Sequence, residues 1–178
     1  MLRTGFSPFF RISRFALVCS LYALALSGCE KDDICVDGDT PLLIIKFYDN
    51  ENPDNTKNVN RLRVLGLGED DPVDTFSDRT TLDSIAIPLR PGETQTTFIL
   101  ILDSEDDDED EMEIGNRDTV RFDYATREVF ISRACGFVAQ YEDLESELQE
   151  GSENWIQNIE VENAFVQNLD STHVSIFH

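Results

Sequence analysis

Apolar residues fall in short, β-branched clusters separated by polar, Asn/Asp- and Pro-containing stretches. Leu42 to Tyr48 is an almost unbroken apolar run, the pattern of a strand covered on both faces. Asp49 to Asn60 reads as a loop. Leu62, Val64 and Leu65 mark a second strand ending near Gly66 and Gly68, and Glu69 to Ser77 is an acidic loop containing Pro72. Ile85, Ile87 and Leu89 alternate with Ser84, Ala86 and Pro88, which predicts a half-buried strand at a sheet edge, where proline costs no ladder bond. After a turn at Arg90 to Glu93, Thr96 to Leu102 is strongly apolar. Val120, Phe122 and Tyr124 alternate with Arg121 and Asp123, and Val129 and Ile131 alternate with Phe130 and Ser132. With only a few residues around Ala125 and Thr126 between these two alternating runs, a hairpin is predicted there, its turn type left open by the absence of Asn-Gly or Asp-Gly.

Cys135 to Tyr141 continues as a strand. Beyond it, Tyr141, Leu144 and Leu148 have helical spacing and Gly151 suits a C-cap, so a short helix competes with strand there. Ile156, Ile159 and Val161 mark another element, and Val174 and Ile176 a last strand. Seven to nine short strands without βαβ rhythm predict a single all-β domain, an antiparallel β-sandwich with Ig-like topology as the first choice.

One stretch breaks this pattern. Residues 1–28 contain Arg3, Arg11 and Arg14, no acid, and an apolar run from Phe15 to Leu26 that is too short to span a bilayer. This is the layout of a signal peptide. Leu26-Ser27-Gly28-Cys29 looks like a bacterial lipobox, in which Cys29 is lipidated and becomes the mature N-terminus. The predicted organisation is therefore signal peptide 1–28, lipidated N-terminus and tether 29–34, and a sandwich over 35–178. Lys31, Asp32 and Asp33 resemble the Lys-acid-acid export signal of surface lipoproteins of the Bacteroidota. The expected location is the outer membrane, with the cell surface favoured over the periplasmic face.

Cysteine parity adds a constraint. Cys19 leaves with the signal and Cys29 takes lipid, so Cys35 and Cys135 remain. In an exported chain they are expected to form a disulfide closing a loop of about 100 residues, with two buried thiols as the alternative. Six steps from Cys29 to Cys35 span at most ~20 Å.

Charge narrows the classes of function. The chain carries 36 acids against 14 bases, a net −22. Beyond residue 28 the balance is 11 − 36 = −25. Such a surface repels phosphates, so no nucleic-acid partner is expected. Nine of the eleven residues from Asp103 to Glu113 are acids, and the segment 103–118 is predicted to be a solvated loop. Asp106, Asp108 and Asp110 have the alternate spacing of hard-cation ligands, so calcium is the candidate ion. Position 111 is Glu where a calcium loop of the EF type has Gly, and no cofactor is otherwise expected.

Catalytic patterns are weak. Asp170, Ser171, His173 and Ser175 crowd one strand, whose neighbours alternate faces, and no Gly-x-Ser-x-Gly elbow exists. Trp155, the single tryptophan, is either a sugar platform or a core residue, core being the commoner fate.

Cys29 to Cys35, Thr40-Pro41-Leu42, Phe76 to Arg79, Ser84 to Leu89, Arg133 to Phe137 and His173 to His178 together resemble an uncharacterised family of small flavobacterial lipoproteins, a domain of unknown function. The resemblance implies no activity and no site residues. The expectation is a non-enzymatic, lipid-anchored envelope protein that binds or scaffolds. Its partners would be the membrane through the anchor and an unidentified envelope protein or glycan; a calcium-dependent binding module is the alternative.

Overall fold

The computed structural model describes residues 35, 40–107, 113–151 and 153–178. Among the described residues there are nine strands: β1 (Leu43–Tyr48), β2 (Val59–Gly66), β3 (Thr80–Leu82), β4 (Ser84–Ile87), β5 (Gln95–Asp106), β6 (Glu113–Ser132), β7 (Gly136–Leu148), β8 (Asn158–Val161) and β9 (Val174–Phe177). They form a four-stranded sheet, β4-β1-β9-β8, and a five-stranded sheet, β3-β2-β5-β6-β7. The expected β-sandwich is what forms. Leu43, Ile45, Phe47, Ile87, Val174 and Ile176 of the first sheet share one apolar core with Leu62, Val64, Leu100, Val120, Phe122 and Tyr141 of the second.

Several details differ from expectation. The four-stranded sheet is mixed, because β9 lies parallel to β1 while the other pairs are antiparallel. Three consecutive strands, β5, β6 and β7, share one sheet as a meander. An Ig domain distributes its strands as ABED and CFG, so the connectivity here is not Ig-like. β1 is covered completely on one face only: Leu43, Ile45 and Phe47 are buried, while Ile44, Lys46 and Tyr48 are half-buried. Pro88 does follow an edge strand, β4.

The predicted hairpin at Ala125 is absent. β6 runs without interruption for 20 residues, and its turn lies at Arg133–Cys135. The apparent change of phase has two causes. Asp123 pairs with Glu145 and Ala125 with Glu142, so β7 carries one extra residue opposite β6. Asp143 in that bulge has φ +56°, a left-handed conformation that Asp tolerates better than most residues. Beyond it both faces of β6 are largely open, so no core selects a phase. The helical reading after Tyr141 also fails, since β7 continues as strand to Leu148.

The acidic segment is likewise more ordered than a loop over 103–118. β5 extends to Asp106 and β6 begins at Glu113. Their ladder contains a bulge, with Leu102 opposite Asn116 and Glu105 opposite Ile114. Asp103 sits in it at φ +54°, facing Gly115 at φ +137°. A Cβ on Gly115 would lie 2.7 Å from Ile101 Cγ2 and 2.9 Å from the Leu102 carbonyl oxygen.

Three polar groups fasten the core. The Tyr124 hydroxyl donates to the Arg90 carbonyl (2.9 Å), and the Tyr141 hydroxyl donates to the Leu89 carbonyl (3.0 Å). Together they hold the crossover from β4 to β5. Burial, with Tyr124 beside it, pushes the Tyr141 phenol up to about 12. His173 is completely buried, and its Nδ1 accepts from the Ile44 amide at 2.9 Å. Its Nε2 is buried without a partner. Trp155 is a core residue: it packs edge-on to His178 (5.4 Å between centroids), and its indole N–H donates to the Leu100 carbonyl at 3.4 Å.

Gly115→Ala should cost about 2 kcal/mol or more, because backbone has to move in a conformation L-residues avoid; denaturant unfolding that matches wild type would contradict this. Burial lowers the pKa values of His173 and His178 from 6.5. Their neutral forms are favoured in the fold, so this stability is present above 6.5 and lost as pH falls through the folded values. His173→Asn keeps an acceptor for the Ile44 amide and removes one titration. Unfolding free energies measured on both sides of 6.5 should vary less with pH for this variant than for wild type.

Candidate functional site

The two ends of β6 carry the chemically distinctive features. At its start, four arginines from β2, the β2–β3 loop and β6 face the acids of the β5–β6 hairpin. Arg79 donates to both oxygens of Asp106, at 2.8 and 2.5 Å. This hydrogen bonding is the main cause that holds the Asp106 carboxyl below its usual range. Arg61 pairs with Glu105, and Arg63 approaches Asp78 at 3.7 Å. Glu113 is the hub. Its carboxylate accepts from Arg117 (2.7 Å) and from the Ser104 hydroxyl (2.7 Å), and lies 3.3 Å from Arg63 Nε and 3.9 Å from Arg79. Arg63 Nε is buried and faces Glu113 without hydrogen-bond geometry, so that contact is ionic. Ser104 is fully buried and also accepts from Arg79 Nε at 3.1 Å.

This arrangement bears on the calcium ligands expected at Asp106, Asp108 and Asp110. Asp106 has given both oxygens to Arg79. Asp108 and Asp110 lie outside the described residues. Among the described residues no group of three or more His, Cys, Asp or Glu side chains could hold a metal ion. The arginine partners were not visible as such in the sequence, since Arg61, Arg63 and Arg79 lie 27 to 50 positions before the hairpin acids they meet.

At the other end of β6, Cys135 in the turn is bonded to Cys35, with Cα atoms 4.9 Å apart. The hairpin that carries it projects beyond the core. Phe130 and Phe137 pair across its strands with centroids 5.3 Å apart, yet they are 56% and 67% exposed, and Ile131 is also exposed. Sequence reasoning found the cysteines but missed this aromatic tip, because alternation alone assigns Phe130 no environment. Cys29, Lys31, Asp32 and Asp33 lie outside the described residues.

Elsewhere, Asp170, Ser171 and His173 do not form a catalytic group: His173 Nδ1 is bonded to β1, and the Ser171 hydroxyl accepts from Asn163. Asp118 is buried and accepts from the Ile156 amide at 2.7 Å; burial raises its pKa, so it acts as an anchor for the segment after β7. A surface cleft of about 480 Å³ is lined by Val73, Leu89 and Phe98 with Glu69, Asp74 and Arg90. A second, of about 660 Å³, lies between Leu67, Arg121 and Glu147. Neither is lined by a histidine or a cysteine.

Glu113→Gln should destabilise the domain by about 1–2 kcal/mol, since one partly buried carboxylate serves several donors. The loss should shrink in high salt as the ion pairs are screened; a salt-independent or absent loss would remove Glu113 from this role.

A model of a family of unknown function (DUF6452) matches residues 61–178, more than half of the chain, and the chain belongs to this family. The matched span includes Phe76 to Arg79, Ser84 to Leu89, Arg133 to Phe137 and His173 to His178, and begins after Cys35. No curated protein and no solved structure matches the chain.

Proposed function

We propose that this member of the family is a lipid-anchored, non-catalytic protein of the bacterial outer membrane, of the Bacteroidota lipoprotein type, that binds or scaffolds an envelope protein or glycan. The observation that supports the reading is the Cys35–Cys135 bond. Such a bond suits an exported chain, and it leaves Cys29 as the one cysteine without a partner once a signal peptide is removed. The lipobox-like Leu26-Ser27-Gly28 before it supplies the reason for an acyl chain at that thiol. Durable attachment needs more than one chain, as the mature N-terminus of such proteins carries.

The non-catalytic reading rests on where the nucleophile and base candidates sit. Both histidines are buried in packing around β1 and β9. The acids with resolved pKa shifts are either tied to Arg79, to Asn52 and Glu51, or to backbone amides. A calcium-dependent module built on Asp106, Asp108 and Asp110 is the weaker reading, because a cation would have to displace Arg79 from Asp106.

Cells fed a labelled fatty acid should incorporate it into the wild-type protein and not into Cys29→Ala. Unlabelled wild type, or equal labelling of the variant, refutes the anchor. Protease treatment of intact cells should remove the domain if Lys31, Asp32 and Asp33 direct it to the outer face; protection until the outer membrane is opened places it on the periplasmic side.

A further inference from the structure

We propose that the tip of the β6–β7 hairpin, presenting Phe130, Ile131 and Phe137, docks into the interfacial region of the bilayer that holds the protein. The proposal rests on the lipid anchor at Cys29 and adds a second, non-covalent contact to it.

Three observations converge on a lipid surface. The first is covalent reach. The tip is bonded through Cys135 to Cys35, six residues after Cys29. Six residue steps cover at most ~20 Å. A lipid on Cys29 would therefore keep the tip within reach of the membrane.

The second is exposure. Phe130 and Phe137 form a T-shaped pair, both more than half exposed, and Ile131, the next residue of β6, is exposed as well. They sit on a two-stranded arm outside the shared core, so folding of the sandwich gains little from them. Other exposed large apolar residues, Leu67, Ile114 and Leu169, belong to separate segments of the chain. Apolar groups on a protruding tip with a cation beside them, here Arg133 in the turn, are the makeup of an interfacial anchor.

The third is charge. From Arg127 to Gln140, which face each other across the arm, there are two arginines, Arg127 and Arg133, and one acid, Glu128, a balance of 2 − 1 = +1 in a chain of −22. The β5–β6 acidic hairpin lies at the opposite end of β6, about 60 Å away for a 20-residue strand at ~3.3 Å per residue. Anionic head groups would meet a part of this sheet without net negative charge, with the acids of the β5–β6 hairpin held many Debye lengths distant.

The test uses full-length lipidated protein in vesicles of phosphatidylethanolamine and phosphatidylglycerol, part of whose acyl chains are brominated. Phe137→Trp reports the tip and Ile114→Trp reports the acidic end, against the buried Trp155 that all variants share. The indole at position 137 should be blue-shifted, lose emission to bromolipid and resist acrylamide. The indole at position 114 should stay open to acrylamide and unaffected by bromolipid. Phe130→Ser combined with Phe137→Trp should weaken the bromolipid effect while leaving flotation intact. Protein that fails to float with vesicles refutes the anchor and the docking together. Protein that floats, with position 137 open to acrylamide and untouched by bromolipid, refutes the docking alone. Shielding from acrylamide without bromolipid quenching assigns the tip to a protein contact and also overturns the proposal.

Discussion

The unbroken run of β6 is the constraint on which the rest of the sheet depends. It pairs with β5 along its first half and with β7 along most of its length, so its register fixes both neighbours. A strand of 20 residues is far longer than the usual five or six. Only its middle, from Asp118 to Tyr124, is supported by the core. The two ends must be held by something else, and each end has a different solution. Bulges at Leu102/Glu105 and Asp123/Ala125 mark where support changes, letting the ladder bend away from the sandwich without breaking.

At the acidic end the solution is electrostatic. Asp106 and Glu113 are cross-strand partners, a placement in which like charges repel. Arg79 lies between them, donating to Asp106 and passing 3.9 Å from Glu113, so an unfavourable pair becomes part of an alternating array. Isolated surface ion pairs contribute little. Here Glu113 and Ser104 are partly or wholly removed from water, and several arginines share them, which is where such pairs gain strength. The strand therefore persists into a run of acids that composition alone assigns to solvent. At the other end the solution is covalent. The Cys35–Cys135 bond ties the chain leading into β1, in the four-stranded sheet, to the turn of a hairpin in the five-stranded sheet.

This division explains what the sequence disclosed. Strands whose apolar residues line the shared core were legible, as with Leu43, Ile45 and Phe47 or Phe98 and Leu100, because burial imposes the period. The disulfide followed from parity. Where no core imposes a phase, the pattern misleads: the open arm around Val129 and Ile131 looks like a second strand after a turn. Leu144 and Leu148 do meet the core, but the bulge at Asp143 adds one residue after Tyr141 and turns a strand's spacing into the likeness of a helical stripe. β3 was missed because three half-exposed residues carry no period. Of the acidic site, the charge was plain and the partners were not. Arg61 and Arg79 each sit at positive φ in or near the short β2–β3 pairing, a placement that only the fold specifies.

The net charge acquires a direction from this geometry. A chain of −22 with its acids spread evenly would oppose any approach to an anionic surface. Here the acid-rich turn and the disulfide-bonded turn are separated by the whole of β6. Screening reduces a charge's influence over ~8 Å at physiological ionic strength, a small fraction of that strand's length. The two ends are thus electrostatically independent, and the acids at one impose no cost on contacts made by the other. The β7 edge is protected in its own way: Tyr141 and Leu144 are hydrogen-bonded to Val166 and Ala164, and Glu142, Asp143, Glu145 and Glu147 along it disfavour pairing with a further strand. Segregating charge along a single strand lets one small domain be strongly acidic at one end and carry no net negative charge at the tip of the other.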